Sequence, residues 1–254
     1  MADRQESVRF RYSGWRVSVH ENGAEPNGPD WQREFSSLLS KMENPDIILK
    51  HDHRAEVGTF VIGDVRYVIK KFTQQNTRLW FRLTSVFFSA LGEIACRNAL
   101  EMDADGIYTT RPVLLMQQTH NRMVTSSWLV YRFIDGQFLT RDNAQDIVAF
   151  VKNMHHAGWV HRDPHPGNFI RTSNGIATID PIKARHSRSR YLRAYDVVLM
   201  EHDIPSAPDI YGREDLGIWF FTAKIGHTLL KLYRALKYLL RRPFRTGSFL
   251  KPGE

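Results

Sequence analysis

Residues Gly158–Arg185 read GWVHRDPHPGNFIRTSNGIATIDPIKAR, and the rest of the chain is interpreted from them. The run sets His161-Arg162-Asp163 ahead of Asn168, then closes the apolar segment Ile176–Ile179 with a second carboxylate, Asp180. These positions match the H-R-D-x-x-x-x-N loop of phosphoryl transfer. That reaction needs a carboxylate near the attacking hydroxyl, oxygen ligands for magnesium and a cation on the phosphates. Asp163 has the chemistry of the proton acceptor. The amide oxygen of Asn168 and the carboxylate of Asp180 suit a hard cation. Asp-Pro and Pro-Gly-Asn are also common turn formers. A turn alone does not require the Asn at this step, a hairpin signal at Asn174-Gly175 and an Asp ending the next apolar run.

The same reading requires a lysine on an earlier strand. Arg66–Phe72, RYVIKKF, supplies it in the pattern V-A-I-K. Strand alternation puts Lys70 and Lys71 on opposite faces, and Lys70 shares its face with Val68 and Phe72, so Lys70 is the candidate. Its expected partner is a helical glutamate. Glu93 and Glu101 lie eight residues apart, nearly on one face, and Glu93 is preferred. Two features depart from a signalling kinase. There is no G-x-G-x-x-G loop, only Gly58 in HDHRAEVG, and Asp180 is followed by Pro181-Ile182 instead of Phe-Gly. Little chain remains for an activation loop. The pattern is that of a compact small-molecule or glycan kinase.

Organisation along the chain agrees. A strand or hairpin over VRFRYSGWRVSV precedes a Gly/Pro/Asn loop, Glu21–Asp30, and a helix over Trp31–Glu43. Two extended stretches follow, with Gly63-Asp64 as a hairpin turn. Thr77–Gly106 reads as one or two helices, and Ser126–Gly136 as a strand running into a linker. Beyond it Ile147, Val148, Val151 and Met154 make a helical stripe that stops at Gly158. The fold class is α+β in two lobes, a strand-rich lobe over 1–135 and a helical lobe over 136–254, with a ligand expected in the cleft.

Thirty-five Lys and Arg against 27 Asp and Glu give a net charge of +8, which attracts polyanions: nucleic acid, anionic lipid or a phosphorylated substrate. No zinc-finger, RNP or Lys/Arg-rich block supports nucleic acid. The single cysteine, Cys96, excludes an intramolecular disulfide and a thiolate zinc cluster. With no signal-like N-terminus and no long apolar run, a cytoplasmic location is expected.

On these residues, and on YSGWRVSVHEN, RNALEMDADGI, VYRFIDG, DPHPGNFI and IDPIKAR, the sequence resembles the bacterial lipopolysaccharide core heptose kinases, of heptose(II) kinase type. The likeness covers most of the chain. It implies a protein-kinase-like fold, ATP and magnesium, and transfer of the γ-phosphate to a heptose of the inner core at the cytoplasmic face of the inner membrane. It implies Asp163 as base, Asn168 and Asp180 as metal ligands and Lys70 on the phosphates. By analogy the backbone of Arg132 and Ile134 meets adenine. Asp196 looks like the carboxylate that braces the catalytic loop from below. His161 and His165 are expected to order that loop. At Asn98 this sequence has no glutamate where some relatives carry one, which bears on the lysine's partner.

Asp215–Arg245 is rich in Leu, Phe and Trp. Lys231, Arg234, Lys237 and Arg241 repeat at three- and four-residue steps, on one helical face. Such a helix suits an anionic membrane surface, with Arg185, Arg188, Arg190 and Arg193 adding to the cationic patch. It also suits a final helix packed on the large lobe. Two other functions fit the same motifs: an aminoglycoside-like small-sugar kinase, which gives no reason for the basic tail, and a catalytically weak kinase fold used as a membrane-binding module. The intact set Lys70, Asp163, Asn168 and Asp180 disfavours the latter.

Overall fold

Alternating β-branched and aromatic residues build one antiparallel sheet from strands distant in sequence. The computed structural model describes residues 7–20, 29–74 and 79–241. Most of the expected Glu21–Asp30 loop, and Arg242 and Arg245 of the tail, lie outside them. The strands are β1 (Val8–Tyr12), β2 (Trp15–Val19), β3 (Ile47–His51), β4 (Glu56–Ile62), β5 (Val65–Lys71), β6 (Pro112–His120) and β7 (Met123–Arg132). Their order across the sheet is β1-β2-β6-β7-β5-β4-β3. The expected Gly63-Asp64 turn is present. Ile62 faces Val65 across it, and Gly63 takes φ +57°, a left-handed value that glycine accepts without steric cost.

Period-two alternation gives the sheet two apolar faces. On one, Trp15, Val17, Tyr67 and Ile69 pack against Phe35, Leu38 and Met42 of α1 (Phe35–Glu43). On the other, Phe72, Leu115 and Leu129 receive Ala95 and Cys96 of α3 (Leu91–Ala104), which follows the short α2 (Leu79–Thr84). A β-carbon on Gly92 would strike Ser127 Oγ, so glycine is what lets α3 lie this close to β7. Lys70 stands opposite Leu129 and therefore on the α3 face. Lys71 turns to the other face, where it meets Glu56 at 2.7 Å.

β6 has no counterpart in the sequence reading. Pro112–Gln117 are all buried, so the strand has no polar face and shows no alternation.

Contacts divide the chain into two compact units, residues 1–140 with 167–185 and residues 141–166 with 186–254. This differs from the expected split at 135/136, because a hairpin from the second half joins the first unit. Its strands are β10 (Phe169–Thr172) and β11 (Gly175–Thr178), and β10 pairs with β8 (Gln137–Phe138) through Ile170 and Phe138. Thr109 Oγ1 also donates to Thr178 O at 2.9 Å.

The second unit is mainly helical and includes the two-residue β9 (Trp159–Val160). The expected stripe of α4 (Ala144–His156) is buried and extended by His155. After it come α5 (Arg190–Glu201), α6 (Ala207–Tyr211), α7 (Arg213–Leu216) and α8 (Ile218–Arg241). α8 docks on α5 through its first half. Lys224 reaches Glu201 at 2.7 Å, and Tyr195 meets His227 at 3.3 Å. Further on, Leu229, Leu232, Tyr233 and Leu236 are all exposed. The two readings of the tail thus apply to different halves of one helix, packing to the first and an uncovered face to the second.

Candidate active site

In the strand-rich unit, Lys70 Nζ lies 2.7 Å from Asp180 Oδ1. The lysine is 14% exposed and its ammonium stands 5.5 Å from the centroid of the Phe72 ring. Asp180 is 37% exposed and sits in the left-handed region, φ 57°. Pro181 bars the helical region to the residue before it, and aspartate is among the few side chains that tolerate the left-handed alternative. Burial, with the Asp180 charge added, pushes the Tyr131 phenol up, so Tyr131 is a neutral neighbour.

Hydrogen bonds hold the segment around Asp180. Asn98 Nδ2, on α3, donates to Pro181 O at 2.8 Å and to Ala184 O at 2.6 Å. The carbonyl of Asn168 accepts from Ile179 N at 2.8 Å and from Thr178 Oγ1 at 3.3 Å, so Asn168 is tied to the residue before Asp180. Oδ2 of Asp180 has no hydrogen bond among the described residues. No group of three or more His, Cys, Asp or Glu forms a metal cluster among them. Magnesium commonly takes one or two carboxylates and keeps water for the rest, so a carboxylate oxygen beside an asparagine fits that ion.

In the helical unit, the buried carboxylate of Asp196 organises the loop that carries Asp163. Asp196 Oδ2 accepts from the amide of His161 and Oδ1 from that of Arg162, each at 2.7 Å. His155 Nε2 lies 3.1 Å from Oδ2, and Tyr211 Oη lies 2.8 Å from His155 Nδ1. Burial pushes the Tyr211 phenol up to about 12, so the hydroxyl keeps its proton. Nε2–H of His155 donates to Asp196. Arg162 is held at φ 63°, a strained value for a long side chain. Its amide bond to Asp196 lies at the strained residue itself. Asp163 N donates to His161 Nδ1 at 3.2 Å, and His165 N donates to Asp163 O at 2.8 Å. His161 thus orders the loop by its side chain. The His165 side chain, 61% exposed, turns toward Asp203 at 3.7 Å.

Residues 66–237, more than half of the chain, match the family model described as lipopolysaccharide core biosynthesis protein (WaaY). The chain belongs to the WaaY family. It is a phosphotransferase of lipopolysaccharide core biosynthesis, with an α+β fold. No curated protein sequence matches it. Among solved structures, one described as WaaP in complex with acyl carrier protein is similar over 84% of this chain and 95% of that one, at 14% identity and a TM-score of 0.46.

Two expected positions in the WaaY-family chain differ from the sequence reading. Glu93 does not pair with Lys70. It lies exposed on α3 and lines another cavity, while Lys70 is taken by Asp180. Asn98 is the α3 residue that reaches the Asp180 turn, through backbone carbonyls. The amide of Arg132 is also spent, on Arg111 O at 3.3 Å. Ile134 is half-buried, and its backbone makes no hydrogen bond among the described residues.

The sequence pattern does not announce these contacts of His155, Tyr211 and Asn98. For His155 a signal existed: it continues the stripe Ile147, Val151, Met154 at helical spacing, and a histidine there must find buried partners.

Proposed function

We propose that this WaaY-family chain transfers the γ-phosphoryl group of ATP to a heptose hydroxyl of the lipopolysaccharide inner core, at the cytoplasmic face of the inner membrane. The observation that carries the reading is the Lys70–Asp180 pair, two side chains 110 residues apart joined at 2.7 Å. It supports a site in which Lys70 Nζ binds phosphate oxygens, releasing Asp180 to face a cation with Asn168. Magnesium, when bound there, neutralises charge on the phosphates. Asp163 accepts the proton of the attacking hydroxyl at its carboxylate. Its backbone is pinned on both sides by His161 and His165, which favours a fixed starting position for that oxygen. Adenine is read by the backbone of Ile134, with Arg132 contributing at most its carbonyl.

Membrane association is part of the proposal. Among the described residues no helix is long and apolar enough to cross a membrane. The uncovered half of α8 nevertheless sets Leu229, Leu232 and Leu236 beside Lys231, Arg234 and Lys237. Each such cation contributes roughly 1 kcal/mol toward an anionic surface. In the strand-rich unit Trp80, Phe87 and Phe88 are strongly exposed, an arrangement that favours a lipid interface.

Mass spectrometry of core oligosaccharide tests the reaction in a deletion strain complemented with wild type or Asp163→Ala. Wild type restores the phosphate and Asp163→Ala does not. Equal phosphorylation by both would remove Asp163 from the mechanism. Charge reversal at Lys231, Arg234 and Lys237 tests the membrane component by recovery of the protein with membranes.

A further inference from the structure

The strand-rich unit holds a cavity of about 750 Å³ whose wall contains neither Lys70 nor Asp180. Strand register builds it. Phe10 of β1 faces Val17 and the α1 core, so Arg9 and Arg11 point to the opposite face, alongside Ser18 and Arg16 of β2. Arg16 in turn stands opposite Gln117 of β6. Arg97 of α3 completes the wall.

None of these four guanidiniums makes an ion pair among the described residues. Arg16 has a single long hydrogen bond, 3.5 Å, to Gln117 Oε1. The cavity also contains two buried nitrogens without hydrogen-bond partners, Gln117 Nε2 and His20 Nε2. Glu93 and Glu101 are the carboxylates in the wall, so four positive charges face two negative ones. Burial, and then the Arg9 charge, hold the His20 imidazole below its ordinary value, which makes it a neutral hydrogen-bonding group there.

Unpaired cations gathered on one concavity repel each other, and buried donors without acceptors cost free energy. An anion relieves both. The guanidinium fork matches phosphate oxygens in pairs, and a phosphate can accept from several forks at once, whereas a carboxylate is saturated by one or two. The volume falls within the roughly 300–1,000 Å³ of small-molecule sites. We infer that this cavity is a second anion site, taking a phosphomonoester or pyrophosphate group, separate from the phosphate site proposed at Lys70. Arg9, Arg11 and Arg16 precede residues 66–237, so the family match does not cover three of the four arginines.

The test uses the full-length Lys70→Met protein, so that phosphate binding at the proposed nucleotide site does not intrude. Inorganic pyrophosphate is titrated calorimetrically. Phosphatidylcholine vesicles with and without phosphatidic acid are co-sedimented. Adding Arg9→Gln and Arg97→Gln should weaken binding roughly tenfold or more, for pyrophosphate if the ligand is soluble and for phosphatidic acid vesicles if it is lipid-borne. Both arginines are exposed, so the unliganded Tm should not move. Should it fall, Arg9→Lys with Arg97→Lys keeps the charge, loses the fork, and should still weaken binding. Equal binding of both probes by variant and parent, or no binding of either probe by the parent, overturns the assignment.

Discussion

Asp180 and Asp196 are aspartates in two different units, and their surroundings differ sharply. Asp196 is fully buried and takes two backbone amides and an imidazole, itself backed by the Tyr211 hydroxyl. Asp180 is about a third exposed and, among the described residues, its carboxylate has a single hydrogen-bond partner, Lys70, with one oxygen left over. A carboxylate that shapes a loop must hold every bond throughout the cycle, and burial makes each bond costly to break. One that must exchange partners with an incoming ligand cannot be held so firmly. Exposure and an unspent oxygen keep exchange inexpensive.

The contrast makes quantitative demands. Asp196→Ala should be the most damaging change, because it strands the amides of His161 and Arg162 and the His155 ring in a buried site. We expect a loss of about 3–5 kcal/mol in urea or thermal unfolding, together with loss of phosphorylation. A variant with unchanged Tm would end the bracing account. Lys70→Met should instead separate the two quantities. Phosphotransfer falls roughly 10²-fold or more, while stability shifts by no more than about 1 kcal/mol, since the ion pair is part-exposed. If Lys70→Met unfolds the protein as Asp196→Ala does, the two carboxylates do not differ in kind.

Asn98→Ala lies between them. It removes the shared donor from Pro181 O and Ala184 O, at about 1–3 kcal/mol, and should lower kcat more than it raises KM for ATP if it positions Asp180. A change confined to stability would leave Asn98 as packing only. The smallest effect concerns Cys96. Burial first, then Glu93, pushes its thiol from the ordinary 9.0 up to about 12. The folded protein therefore favours the protonated thiol. Its contribution is complete below pH 9.0 and is lost as the pH rises from there toward 12. At pH 8 iodoacetamide should modify Cys96 only after denaturant is added. Alkylation of the folded protein at a free thiol's rate would contradict this.

Much of the proposed site was legible as a pattern because its features are local. His161, Asp163 and Asn168 sit at fixed steps, Gly63-Asp64 and Asn174-Gly175 mark turns, and alternation over Val68–Phe72 selects Lys70 over Lys71. The less legible parts share one cause. β6 is buried on both faces and has no polar alternation to read. The hairpin bearing Asp180 joins the strand-rich unit through β8 and α3, contacts that no local pattern announces. Glu93 and Asn98 are five positions apart on one helix, and nothing in their spacing says which reaches the turn that follows Asp180.

The order of residues was sufficient for the α+β class, the Gly63-Asp64 turn and the opposite faces of Lys70 and Lys71, since each depends on periodicity or on spacing within a few turns of chain. Folding settled which groups meet: Lys70 with Asp180, Asn98 with the turn that follows, Asp196 with His155 and the loop amides, and four arginines around one cavity. Those pairings depend on how strands register and how a helix is rotated on its sheet. Such geometry is set by packing across the whole unit, and residues near in sequence carry almost no trace of it.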